Sequence, residues 1–64
     1  MLGDFLKKYR EKYNLTQEEM AKKIGTSQAY YSQIESGILS PGFTLVKKLA
    51  KALEIEESFI RSLM

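Results

Sequence analysis

The segment TQEEMAKKIGTSQAYYSQIESG, which begins at Thr16 and ends at Gly37, constrains the fold more than any other part of the chain. Thr16 and Glu19 form a capping-box pattern, in which each side chain accepts a hydrogen bond from the backbone N–H of the other residue. A helix therefore begins after Thr16. Gly25 ends it, because glycine enters the left-handed backbone conformation without a steric penalty. Ser27 is a good N-cap for a second helix, which Gly37 ends in turn.

These two helices carry apolar residues at helical spacing, which indicates the faces they bury. Met20, Ala21 and Ile24 recur in the first helix, and Tyr31 and Ile34 recur in the second. If Tyr31 points inward, its hydroxyl needs a partner or water; if it points outward, the helix phase is wrong by one residue. Two short helices joined by a glycine-bearing turn form the helix-turn-helix unit, whose second helix enters the DNA major groove.

Three further amphipathic segments flank this unit. In chain order, the helix-turn-helix unit comprises helices 2 and 3, and helix 1 precedes it. Helix 1 is predicted to end at Asn14, and its apolar stripe comprises Leu2, Phe5, Leu6, Tyr9 and Tyr13. Helix 3 cannot continue through Ser40, because Pro41 disfavours helical geometry at the residue before it. A fourth helix begins near Phe43, with inward residues Val46, Leu49, Ala50 and Leu53. A short fifth helix carries Ile55, Phe59, Ile60 and Leu63, so we expect residues 1–64 to form a single domain.

The segment from Thr16 to Gly37 resembles the helix-turn-helix of the phage lambda and 434 repressor, Cro and xenobiotic-response-element class of bacterial regulators. The likeness runs from about residue 6 to residue 60, with matching positions at Gln17, Ala21, Gly25, Gln28 and Ile34. It implies an all-α, compact five-helix repressor-like bundle with the helix-turn-helix formed by helices 2 and 3. The implied function is that of a sequence-specific transcriptional regulator, a repressor, that binds a palindromic operator as a homodimer.

The polar face of helix 3 gives the expected base-reading residues, which are Gln28, Ala29, Ser32 and Gln33. Glutamine can bond adenine bidentately through its amide, and alanine can contact the methyl group of thymine. The expected DNA phosphate contacts are Gln17, Ser27, Tyr30, Ser40 and Thr44, together with backbone N–H groups at the starts of helices 2 and 4.

The resemblance also implies a partly buried ion pair between Arg10 in helix 1 and Glu35 in helix 3. The alternative is that both are ordinary surface charges. Possible dimer contacts are apolar residues of the connection after helix 3 and of the C-terminal end, namely Ile38, Leu39, Phe59, Leu63 and Met64. Related proteins often have lysine or arginine where Ile38 and Leu39 stand. These apolar residues leave open a rival reading, a protein interaction module such as an antitoxin or a regulator adapter.

Composition limits the chemistry that the chain can perform. Without cysteine or histidine, there are no thiolate or imidazole metal ligands and no Ser–His or Cys–His nucleophile, so we expect no enzyme, metal or cofactor. No apolar run is longer than three residues, so we expect a cytoplasmic protein without a membrane segment. We also expect no small-molecule substrate. The formal net charge is only +2, and Glu35 is the only ionised side chain between Gly25 and Phe43. DNA binding should therefore depend only weakly on salt.

Overall fold

The computed structural model describes all 64 residues and contains five helices and no strand. The helices are α1 (Leu2–Lys12), α2 (Gln17–Ile24), α3 (Gln28–Glu35), α4 (Phe43–Leu53) and α5 (Glu57–Ser62). The predicted all-α, five-helix fold is therefore confirmed. None of these helices has both the length and the apolar character needed to cross a membrane.

The turn between α2 and α3 is built by the residues that the sequence indicates. At the start of α2, Glu19 N–H donates to Thr16 Oγ1 at 3.1 Å, and Thr16 N–H donates to Glu19 Oε1 at 2.8 Å. Gly25 ends α2 with a φ of 93°, in the left-handed region. Ser27 Oγ then accepts a hydrogen bond from the N–H of Tyr30 at 3.1 Å, which caps α3. These caps fix the angle between the two helices.

The end of α1 differs from the sequence prediction at one residue. Asn14 does take the left-handed conformation, with a φ of 54°. However, α1 ends at Lys12, so Tyr13 leaves the apolar stripe and is 53% exposed. Its ring lies 4.8 Å from the ring of Tyr9 rather than in the core. The assignment of Tyr13 to the buried face was wrong, because helical spacing no longer applies once the backbone turns.

All five helices contribute to one apolar core. Its buried members are Leu2, Leu6, Met20, Ala21, Ile24, Tyr31, Ile34, Leu45, Val46, Leu49, Leu53 and Ile60. Leu45 is buried although the sequence analysis did not assign it inward, whereas Ala50 is only partly buried. The buried face of α4 is thus broader than the predicted stripe, because this helix packs against both α2 and α5.

A close approach between α1 and α3 sets the position of α3. Gly3 lies against the C-terminal end of α3, where a Cβ atom would overlap the carbonyl oxygen of Glu35. The start of α1 is also bonded to the C-terminal end of the chain, because Leu2 N–H donates to the carbonyl of Leu63 at 3.0 Å. Glycine at position 3 therefore allows α1 to support α3 directly.

Candidate nucleic-acid interface

The outward face of α3 presents neutral polar and small side chains. Gln28, Ala29 and Gln33 are exposed and Ser32 is half-buried. Their spacing places all four on one side of the helix. Tyr31 lies on the opposite side and is only 1% exposed, so the helix phase that places it inward is correct. The structure therefore brings the four expected base-reading residues together on an accessible surface.

The start of α4 adjoins this surface through Tyr30. The hydroxyl oxygen of Tyr30 accepts a hydrogen bond from the N–H of Gly42 at 3.3 Å. Beside it is an open cavity of about 230 Å³, which is lined by Thr26, Tyr30, Gly42, Phe43, Thr44, Leu45 and Lys48. Two of the expected phosphate contacts, Tyr30 and Thr44, thus share one cavity. Ser40 is exposed in the connection between α3 and α4 and does not line this cavity.

Lys48 also contributes to this region, although its sequence context predicted no role for it in the site. Its Nζ donates to the carbonyl oxygen of Gly25 at 2.9 Å, which places a positive charge at the C-terminal end of α2. That charge is favourable because the C-terminal end of a helix is partially negative. A signal was present in the sequence, since Lys48 follows Thr44 by four residues and therefore shares its face of α4.

The Arg10–Glu35 pair lies between α1 and the C-terminal end of α3. Arg10 Nε donates to Glu35 Oε2 and Nη2 donates to Glu35 Oε1, each at 3.0 Å. The two side chains are 16% and 6% exposed, respectively. Arg10 Nη1 also donates to the carbonyl of Leu15 at 3.0 Å, so one guanidinium group links three segments of the chain. This pair is a planar, two-point contact, which holds its partners in one relative orientation.

Glu35 receives two further hydrogen bonds that sequence reasoning did not assign. The hydroxyl of Tyr31 donates to Oε2, and the side-chain amide of Gln17 donates to Oε1 at 3.2 Å. Burial favours a higher pKa for Glu35, but the bonds from Arg10, Tyr31 and Gln17 outweigh it and lower that pKa. Burial and the bond to Glu35 raise the pKa of Tyr31. Glu35 is therefore ionised and compensated internally, so no ionised side chain between residues 25 and 43 is free to meet DNA.

The expected dimer contacts do not form one patch. Leu39, Leu63 and Met64 line a cavity of about 160 Å³ between the chain ends and the connection from α3 to α4. Ile38 is 70% exposed and does not line it. Phe59 packs its ring edge-on against Phe5, with the ring centres 5.4 Å apart. Only three of the five residues are therefore brought together.

Comparison with known proteins agrees with this geometry. A family model described as helix-turn-helix matches residues 6–60. An uncharacterised helix-turn-helix-type transcriptional regulator of Methanocaldococcus jannaschii is 46% identical over 57 residues, which cover 86% of each chain. One from Archaeoglobus fulgidus is 37% identical over 86% of this chain and 80% of its own. The regulator YqaF of Bacillus subtilis is 40% identical over 83% of this chain and 70% of its own.

No solved structure gives a significant match to the chain. The family model nevertheless covers nearly all of the sequence, including the capping box, the glycine turn and all of α3. The chain therefore belongs to the Cro/C1-type helix-turn-helix family.

Proposed function

We propose that this protein is a sequence-specific DNA-binding transcriptional regulator, a repressor, that reads the major groove with α3. The observation that carries the proposal is the row of Gln28, Ala29, Ser32 and Gln33 on the outward face of a helix that the Arg10–Glu35 pair anchors from behind. Amide side chains on a rigid helix can bond base edges with little loss of entropy. The relatives are themselves named as transcriptional regulators, which supports the same function here.

The phosphate contacts in this proposal come from neutral donors at the starts of α2, α3 and α4 and in the connection between α3 and α4. One N–H of the Gln17 amide bonds Glu35, which leaves the second free for a phosphate. The hydroxyl oxygens of Tyr30 and Ser27 accept backbone N–H bonds, so their own protons remain available. Thr44 lies beside Tyr30 in the same cavity, and Ser40 is exposed in the connection before α4. These groups would fix the register of the protein on the duplex without reading its sequence.

The proposal includes a homodimer on a palindromic operator, because two subunits side by side read half-sites one helical turn apart. Leu39, Leu63 and Met64 are the residues that we assign to the dimer contact, whereas Ile38 and Phe59 are exposed apolar residues outside the cavity that these three line. We further propose that residues 1–64 act as one domain in the cytoplasm, without a cofactor, a small-molecule substrate or catalysis.

Replacing Gln28 with alanine is expected to relax base preference at one position in each half-site. Losing a bidentate amide contact typically costs about 1 to 3 kcal/mol of discrimination. Binding to a full set of single-base operator variants measures this effect. Thr44→Ala is the matched control, because loss of a phosphate contact should weaken binding to all variants equally. Unchanged preference in Gln28→Ala would remove this residue from the reading face.

One observation favours the protein interaction module as a second candidate. Ile38 and Leu39 are 70% and 42% exposed, in a connection that carries no charge. An antitoxin or regulator adapter using this surface would associate in a concentration-dependent manner without DNA. It would also show little retention on heparin or DNA at low salt. Retention on a heparin or DNA column at low salt therefore distinguishes the two functions.

A further inference from the structure

We propose that three lysines, Lys23, Lys48 and Lys51, bind backbone phosphates of the duplex that flanks each operator half-site. We call these residues the three-lysine cluster. The inference rests on the proposed DNA-binding function and adds to it a second contact that lies outside the helix-turn-helix reading face.

The three-lysine cluster lines one open cleft between the C-terminal end of α2 and the C-terminal half of α4. The cleft has a volume of about 430 Å³, and Ile24 and Ala52 form the rest of its lining. No carboxylate lines it, and none of the three ammonium groups takes part in an ion pair. The cleft is therefore a concentration of uncompensated positive charge with an apolar floor, which suits a strongly charged polyanion.

The cleft is continuous with the proposed phosphate contacts at the start of α4. Lys48 lines both the cleft and the cavity that contains Tyr30 and Thr44. Its Nζ uses one N–H to bond the carbonyl oxygen of Gly25, so two N–H groups remain for other acceptors. A nucleic-acid backbone that contacts Tyr30 and Thr44 can thus continue past Lys48 towards Lys23 and Lys51.

The charge distribution explains why DNA binding would need this cluster. The segment from Gly25 to Phe43 offers only neutral groups, because Glu35 is compensated by Arg10. Most non-specific affinity for DNA comes from cations that release counterions from phosphates. Lys51 also lines the next cleft, together with Lys47 and the carboxylates of Glu54, Glu56 and Glu57, and these carboxylates would repel a duplex. The acidic cleft therefore marks the end of the favourable path.

The salt dependence of binding gives the size of the effect. Each neutralised phosphate contributes about 0.9 to the slope of log affinity against log salt. We expect a total slope equivalent to about two to three phosphates per subunit, which the three-lysine cluster alone can supply. Six or more phosphates per subunit would require cations elsewhere on the surface.

The test compares Lys23→Gln/Lys51→Gln with Lys7→Gln/Lys8→Gln, which removes the same charge from exposed positions on α1. Lys48 is kept, because its ammonium group bonds the carbonyl of Gly25. The affinity of each protein is measured at a series of potassium chloride concentrations on a duplex that contains the selected operator and no flanking base pairs. The titration is repeated on the operator extended by about one helical turn, or 10 base pairs, at each end.

The wild type and the α1 variant, Lys7→Gln/Lys8→Gln, should bind the extended duplex more tightly. Their slopes of log affinity against log salt should also be steeper on it. The cluster variant keeps only Lys48 and should gain less. On the extended duplex its slope should be about 1.8 per subunit below that of the wild type, and its affinity at 0.1 M salt should be lower by roughly eightfold for each lysine removed. Its base preference should remain that of the wild type. An equal fall in the α1 variant would assign the effect to net charge, and an unchanged cluster variant would place the lysines away from DNA. If no duplex binds selectively, the proposed function fails as well.

Discussion

Replacing Arg10 with methionine is expected to lower the free energy of unfolding by about 3 to 5 kcal/mol, because removal of one partner strands a buried charge. Glu35 is 6% exposed and would keep only the neutral donors Tyr31 and Gln17. Denaturant melts measure the loss. The matched control is Arg61→Met, which breaks the exposed Arg61–Glu57 pair of α5. That change should cost less than about 1 kcal/mol.

The pH dependence of the same melts identifies the cause of the loss. In the wild type the pKa of Glu35 is lowered, so its contribution is complete above the ordinary carboxyl range and is lost as pH falls through its folded value. In Arg10→Met, burial without a cation should raise this pKa. The difference between variant and wild type should therefore shrink on acidification. A loss below about 1 kcal/mol at neutral pH would show that the pair contributes no more than a surface pair.

Gly3→Ala is expected to destabilise the protein by about 2 to 3 kcal/mol, the upper part of the range for overpacking. In an exposed helix this change is usually favourable by up to about 1 kcal/mol. Here the added Cβ would overlap the backbone carbonyl of Glu35, which cannot rotate away as a flexible side chain could. The whole of α1 must therefore shift away from α3.

Gly42→Ser provides the comparison for Gly3→Ala, because no atom lies within 4 Å of a Cβ at position 42. Serine is also a good N-cap, so stability should change by only a few tenths of a kcal/mol. Thermal or denaturant melts of both variants test the contact. Stabilisation in Gly3→Ala would mean that α1 does not approach α3 closely in solution.

The fold followed from the sequence where a local interaction determines the backbone. The capping box at Thr16, the left-handed turn at Gly25 and the cap at Ser27 each depend on residues within four positions of one another. Such interactions can be predicted from spacing alone. The inward phase of α3 also followed, because Ile34 shares a face with Tyr31.

The contacts that complete the candidate site were harder to predict, because they join residues far apart in the chain. The Gln17 amide reaches Glu35 across 18 positions, and Lys48 reaches Gly25 across 23. In neither pair do the two residues lie in the same helix, so the periodicity of one helix cannot relate them. The Arg10–Glu35 pair spans 25 positions and was expected only because the family resemblance implied it. Sequence periodicity describes one helix at a time, whereas these bonds depend on how helices cross.

Selection of bound duplexes from a random-sequence pool tests most directly whether α3 reads DNA sequence in a dimer. We expect enrichment of a palindromic or near-palindromic consensus, with half-site centres about one helical turn, or 10 base pairs, apart. Adenine and thymine should be favoured where Gln28, Gln33 and Ala29 meet the major groove. A bound pool with the same sequence distribution as the input would contradict the account.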